Sequence, residues 1–145
     1  MKVLKFGGTS VANSESISNV ISILNNNRND NLLIVVSALG GITNLLQECL
    51  SHKGKSTENI INKIEERHLE VINNLSDLDG QSSLKSFLKE NLNLLEDILD
   101  AISTIDEVTK KTVSKVLTLG ELLSSKIIYK ILVQKGFDIN YVNSK

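Results

Sequence analysis

Two stretches decide the fold: Lys2-Val3-Leu4-Lys5-Phe6-Gly7-Gly8-Thr9-Ser10 and Leu32-Leu33-Ile34-Val35-Val36-Ser37-Ala38-Leu39-Gly40-Gly41. Each begins as an apolar, β-rich run and ends in a Gly-Gly pair. Lys2 to Phe6 alternates, as a strand does. Leu32 to Ser37 is continuous and aliphatic, the pattern of a parallel strand covered on both faces. Between them Ile17, Val20, Ile21 and Leu24 recur at helical spacing. The segment therefore reads as a βαβ unit, with the right-handed crossover that parallel strands require.

Working outward, the polar stretch Asn25 to Asn31 reads as a loop inside one domain. Helical stripes follow it. Ile42, Leu45, Leu46, Cys49 and Leu50 form one, and Ile61, Ile64, His68, Ile72 and Leu75 the next, ended by a turn at Asp79-Gly80. Leu84, Leu88, Leu92, Leu95, Leu99 and Ile102 form a long one. A short helix around Val108 to Val116 and a last one from Gly120 to Lys135 complete the helical excursion. Gly136 closes that last helix, and Asp138 to Val142 reads as a third strand. The fold class is thus α/β, about three parallel strands with a large helical layer. A third strand with nothing after it leaves an open edge, so the chain is expected to be the front part of a larger domain.

Composition bounds the function. A chain of 145 residues is one domain's worth, and 41% apolar content excludes disorder. Aromatics at 3% supply no stacking platform for single-stranded nucleic acid. Sixteen basic against seventeen acidic residues leave a net charge of -1, without a nucleic-acid footprint. The longest apolar run, Leu32 to Val36, is too short to span a membrane. The single cysteine, Cys49, excludes an internal disulfide, and a cytoplasmic setting is the simplest expectation.

The chemistry is expected at the two Gly-Gly pairs, because open α/β sheets bind ligands at the carboxyl ends of their strands. Glycine lets backbone N–H groups approach an anion without a Cβ in the way. A helix follows each pair and adds partial positive charge. Thr9 and Ser10 follow the first pair, Ser37 precedes the second and Thr43 follows it. Their hydroxyls can cap a helix or bind an oxyanion. Lys5, a strand-end lysine beside a glycine turn, is placed to neutralise a transferring phosphoryl group. Glu121, beside Gly120, has two readings: compensation of a helix dipole, or a carboxylate aimed into a cleft to hold a substrate ammonium.

Other candidates read as structure. Gly54-Lys55-Ser56 resembles a P-loop tail, but Cys49 stands where the first glycine belongs and a helix precedes it, so it reads as a loop. His68 reads as a hydrogen-bonded core histidine, His52 as surface, Cys49 as inert core, and Glu65-Glu66-Arg67 as a solvated helix face. No protein-ligand metal site is proposed.

The segments Lys5-Phe6-Gly7-Gly8-Thr9-Ser10-Val11, Val35 to Asn44 and Gly120-Glu121-Leu122-Leu123-Ser124-Ser125 together resemble, in order, three signature blocks of the aspartate kinases. The resemblance spans essentially the whole chain. It extends to the monofunctional-long and homoserine-dehydrogenase-fused members. It implies the amino-acid kinase fold, an α/β/α sandwich on a mainly parallel sheet. The implied reaction is transfer of the γ-phosphoryl of ATP, with Mg2+, to the β-carboxylate of L-aspartate, the first step toward lysine, threonine and methionine. By that resemblance Lys5 neutralises the transferring group. Gly7, Gly8, Thr9 and Ser10 meet the phosphates. Ser37, Gly40, Gly41 and Thr43 line the aspartate site, and Glu121 pairs with its ammonium. The resemblance also implies that the arginine for the substrate α-carboxylate and most of the adenine pocket belong to a second half of the domain beyond residues 1–145. A homo-oligomer is expected, with the chain alone inactive. Two other readings stay open: another amino-acid kinase, acting on glutamate or carbamate, and a non-catalytic helical module that keeps a phosphate cradle.

Overall fold

A computed structural model describes residues 1–143. Strand β1 (Lys2–Phe6) and strand β2 (Leu32–Val36) pair in parallel, with Lys2 opposite Leu32 and Phe6 opposite Val36. Helix α1 (Ser14–Asn25) connects them. Asn13 caps α1 by accepting a 2.9 Å hydrogen bond from the Ser16 N–H, and Ile17, Val20, Ile21 and Leu24 are its buried face. The two-residue period of the strands turns Leu4, Phe6, Ile34 and Val36 toward the core. Only that face is covered among the described residues. Val3, Leu33 and Val35 are 55%, 41% and 40% exposed, so the two-sided burial expected of β2 is not met.

Four helices build the rest: α2 (Ile42–Ser51), α3 (Glu58–Leu75), α4 (Leu78–Ile105) and α5 (Lys110–Gln134). The leucine stripe of α4, Leu84 through Leu99 and on to Ile102, is buried as its spacing predicts. Helix α5 packs on α4 along one side and on α2 and β2 on another, so the helical layer is tied to the carboxyl end of the sheet.

Three expectations are corrected. The Asp79-Gly80 pair is not a turn. It lies in the first turn of α4, where Asp77 accepts a 2.7 Å hydrogen bond from the Gly80 N–H and starts the helix two residues earlier. The two predicted helices after Val108 are one, because Gly120 is helical and buried inside α5 rather than at a helix start. The third strand does not form: among the described residues the sheet has two strands, and Asp138 to Val142 runs outside both. Its side chains are engaged by α5 instead. Tyr141 shares a 2.9 Å hydroxyl contact with Ser125, meets the Tyr129 ring edge-on, and has the Lys126 ammonium 4.2 Å above its own ring. Ser144 and Lys145 lie outside the described residues.

Gly136 does close α5. With φ at +85° it lets its own N–H reach the Val133 carbonyl and the Phe137 N–H reach Leu132, a Schellman ending. Gly54 likewise sits in a loop, at φ +73°, against the backbone of Leu99, so the P-loop reading is set aside on geometry as well.

Candidate functional site

The two glycine turns lie side by side at the carboxyl end of β1 and β2, and they interlock. In the first, the N–H groups of Ser10 and Val11 both donate to the Gly7 carbonyl, at 3.0 and 3.2 Å. In the second, the Gly40 N–H donates to the Val11 carbonyl at 3.3 Å. A Cβ at Gly40 would stand 2.9 Å from Ala12 Cβ and 3.1 Å from the Gly8 oxygen, so only glycine permits this approach. A Cβ at Gly7 would meet nothing, so the space beside this exposed residue is open, while its carbonyl is taken up by the Ser10 and Val11 N–H groups. Thr9 and Ser10 are exposed on the same loop.

Between the turns is a cavity of about 260 Å³, lined by Gly8, Ser37, Ala38, Leu39, Gly41, Thr43 and Asn44. Gly41 begins α2 at φ +83° with no side-chain cap. The first N–H groups of a helix lack intrahelical partners; here the Ile42 N–H donates to the Leu39 carbonyl at 3.0 Å, and the Thr43 and Asn44 N–H groups have no side-chain cap from Gly41. Thr43 and Asn44, in that first turn, are lining residues. The expectation that both helices after the glycine pairs present such a terminus is corrected for α1. There Glu70, from α3, accepts from the Ser14 N–H at 2.9 Å and from the Ser14 hydroxyl. The start of α1 already holds a carboxylate. Burial pushes the Glu70 carboxyl up, but the Ser14 and Asn74 hydrogen bonds outweigh it and hold the group below its ordinary value.

Lys5 is exposed and lies opposite Val35 on the uncovered sheet face, the face that Ser37 continues. It does not line the cavity. Glu121 is exposed in the middle of α5, so helix-start dipole compensation does not explain it. Its placement follows from Gly120. A Cβ there would stand 2.9 Å from Ala38 Cβ and 3.3 Å from Leu46 Cδ1, so the missing side chain lets α5 press against a cavity-lining residue. Ser124, fully buried one turn on, donates to the Ser37 carbonyl at 2.6 Å and fastens α5 to the same turn.

Ser124, Glu70 and Arg67 are the structural partners that the sequence reading passed over. Ser124 follows Gly120 by one helical turn, a spacing already inside the helix expected from Gly120, but its carbonyl partner on Ser37 lies outside that helix. Arg67 is exposed on α3, as expected of the Glu65-Glu66-Arg67 face, but its guanidinium donates to the Gly40 carbonyl, which the sequence does not reveal. His68 is buried with Nδ1 donating to the Ile64 carbonyl at 2.7 Å, and burial pushes its pKa down to about 4. It is a core histidine, as expected. Burial and the neighbouring Glu48 push the Cys49 thiol up to about 11, so it is unreactive. No group of three or more His, Cys, Asp or Glu among the described residues could hold a metal ion. No helix of the structure is long and apolar enough to cross a membrane.

A parallel βαβ unit with two interlocked glycine turns, a helix start without a side-chain cap and hydroxyls at its strand ends defines an α/β protein whose candidate site is the carboxyl edge of its sheet. The chain belongs to the amino acid kinase family, whose model matches residues 1–145. It is 29% identical over 149 residues to the bifunctional aspartokinase/homoserine dehydrogenase of Buchnera aphidicola, covering 99% of this chain and 18% of that protein. It is 32% identical over 143 residues to the aspartokinase of Chlamydia pneumoniae, covering 99% and 30%. Its fold matches that of Escherichia coli aspartokinase III, solved with aspartate and ADP, at a TM-score of 0.80 and 23% identity over 93% of this chain and 29% of that one. Clostridium acetobutylicum aspartate kinase matches at a TM-score of 0.68 and 25% identity, over 91% and 29%. The chain spans less than a third of the length of each of these relatives.

Proposed function

We propose that this chain is the N-terminal portion of an aspartate kinase catalytic domain, which transfers the γ-phosphoryl of ATP to the β-carboxylate of L-aspartate. The observation that carries the reading is the cavity between the glycine turns, with Ser37 and Thr43 in its wall and Gly120, the residue before Glu121, packed against its Ala38. L-Aspartate has two carboxylates and one ammonium. The α2 N-terminus, the Ser37 and Thr43 hydroxyls and the Gly41 backbone suit the anionic end, with Gly40 shaping the turn, and Glu121 suits the ammonium. The backbone of Gly7 and Gly8, with the Thr9 and Ser10 hydroxyls, suits nucleotide phosphates. Lys5 supplies the positive charge that the transferring phosphoryl group requires as its bonds loosen. The aspartate and ADP bound to the Escherichia coli relative support both substrates. Mg2+ would enter with the nucleotide phosphates.

On this reading the remaining half of the site, for adenine and the substrate α-carboxylate, belongs to chain beyond residue 145, and 1–145 alone does not catalyse. The setting is cytosolic and the product feeds lysine, threonine and methionine synthesis. The uncovered sheet face of Val3, Leu33 and Val35 supports self-association of the isolated chain.

Steady-state ADP release by the full-length protein, with L-aspartate, L-glutamate and carbamate offered as acceptors, tests the substrate. Turnover with aspartate alone is expected. Lys5→Met should cut that turnover by roughly 10²-fold or more, the scale of losing one preorganised charge at the transition state. Near-normal turnover of the variant, or a preference for another acceptor, overturns the assignment.

A further inference from the structure

Arg67 reaches across from α3 to the second glycine turn. Its Nη1 donates to the Gly40 carbonyl at 2.6 Å. The same guanidinium covers Gly41: a Cβ there would stand 3.1 Å from Nη1 and 3.6 Å from Cζ. Gly40 is already held by its N–H to Val11 and by close approach to Ala12 and Gly8. Arg67 holds the one remaining side, the carbonyl, at the start of a helix that has no side-chain cap of its own. A hydrogen bond from a charged donor is roughly twice as strong as a neutral one. Arg67 also stands between the cavity, which Gly41 lines, and an open groove of about 840 Å³ that Arg67 lines together with Lys63, Glu66 and Glu70.

We infer that Arg67 is a positioning residue for the acceptor side of the site: by fixing Gly40-Gly41 it sets the separation of Ser37 and Thr43, which flank the turn on either side. The inference rests on the aspartate kinase reading and adds to it a residue that touches neither substrate. The two glycine turns share Gly40, but the Arg67 bond is made only to the acceptor turn. Loss of the guanidinium should therefore loosen aspartate binding and spare the nucleotide.

The test uses the full-length protein with Arg67→Ala and Arg67→Lys. Amide hydrogen exchange at Gly40 and Ile42 should quicken at least about 10-fold in Arg67→Ala. The KM for aspartate should rise about 10-fold, with the KM for ATP and kcat within roughly 2-fold of wild type. Arg67→Lys should recover most of both effects, because one donor to one carbonyl is all the contact requires. A general loss of fold would move both KM values and would not be recovered by lysine. Unchanged exchange in Arg67→Ala overturns the inference, as does quickened exchange with an unmoved aspartate KM. Wild-type protein without aspartate-dependent turnover overturns the functional reading alone, since exchange at Gly40 still decides whether Arg67 holds the turn.

Discussion

An exposed glutamate in mid-helix, one residue past a glycine whose Cβ would strike Ala38, has no capping or dipole duty to perform. Glu121 makes no ion pair among the described residues, so its charge is available to a ligand. Glu121→Gln keeps the shape and removes the charge. Loss of one partner of a desolvated pair is typically a few kcal/mol, so the KM for aspartate should rise roughly 30-fold or more while that for ATP stays within about 2-fold. Equal effects on both substrates, read from paired titrations, would make Glu121 a structural carboxylate. His68 governs a different property. Its folded pKa lies near 4, against 6.5 for an ordinary histidine, because burial disfavours the charged ring. Between those values the unfolded chain binds the proton and the folded one does not. Stability is therefore intact above pH 6.5 and falls as the pH drops toward 4, by on the order of 3 kcal/mol in total. The Glu70 carboxyl, held low by Ser14 and Asn74, adds a further loss at more acid pH. Chemical denaturation of wild type and His68→Leu at pH 7 and pH 5 checks this. The histidine form should lose more stability across the interval, and parallel losses would contradict the assignment.

Among the elements, Gly120 offers a test whose sign alone is decisive. In an exposed helix interior, glycine to alanine gains up to about 1 kcal/mol in propensity. Here the added carbon would sit 2.9 Å from Ala38 Cβ, and overpacking costs about 1–3 kcal/mol. Gly120→Ala should therefore lower the melting temperature, and a higher one would show that α5 does not depend on this close approach. The same glycine marks where the sequence was hard to read. The stripes of α1, α2, α3 and α4 were legible because each buries one face at a fixed period, and both strands by their apolar, β-rich runs ahead of the glycine turns, although the continuous run of β2 suggested cover on both faces. Gly120 looked like a boundary because local propensity punishes it, whereas packing against Ala38 and Leu46 requires it. Asp79-Gly80 looked like a turn for the same local reason, although Asp77 makes it the start of α4. The segment after Gly136 has strand-like residues, but a strand needs a ladder partner, and Tyr141 is instead held by α5. The hydroxyls and glycines of the site were legible by their place after a strand. Arg67 and Ser124 were not, since their partners are carbonyl oxygens, which leave no trace in side-chain pattern.

Across the whole molecule, the core is continuous from α1 through α5, while one face of the sheet is uncovered among the described residues. Those facts separate folding from catalysis. Buried aliphatic stripes on five helices should give the isolated 145-residue chain a compact, strongly helical state, visible by circular dichroism. Val3, Leu33 and Val35 should drive it to associate, visible as concentration-dependent light scattering, and a clean monomer would argue that this face needs no cover. In-line phosphoryl transfer requires both substrates positioned, and on the proposed reading residues 1–145 supply the phosphate and acceptor contacts while the adenine contacts come from the second half of the domain. The most direct measurement is a coupled ADP-release assay run side by side on the full-length protein and on residues 1–145. Aspartate-dependent turnover by the full-length protein, and none by the shorter chain, is the predicted result. Aspartate-dependent turnover by residues 1–145 alone, or full-length turnover indifferent to aspartate, would contradict it.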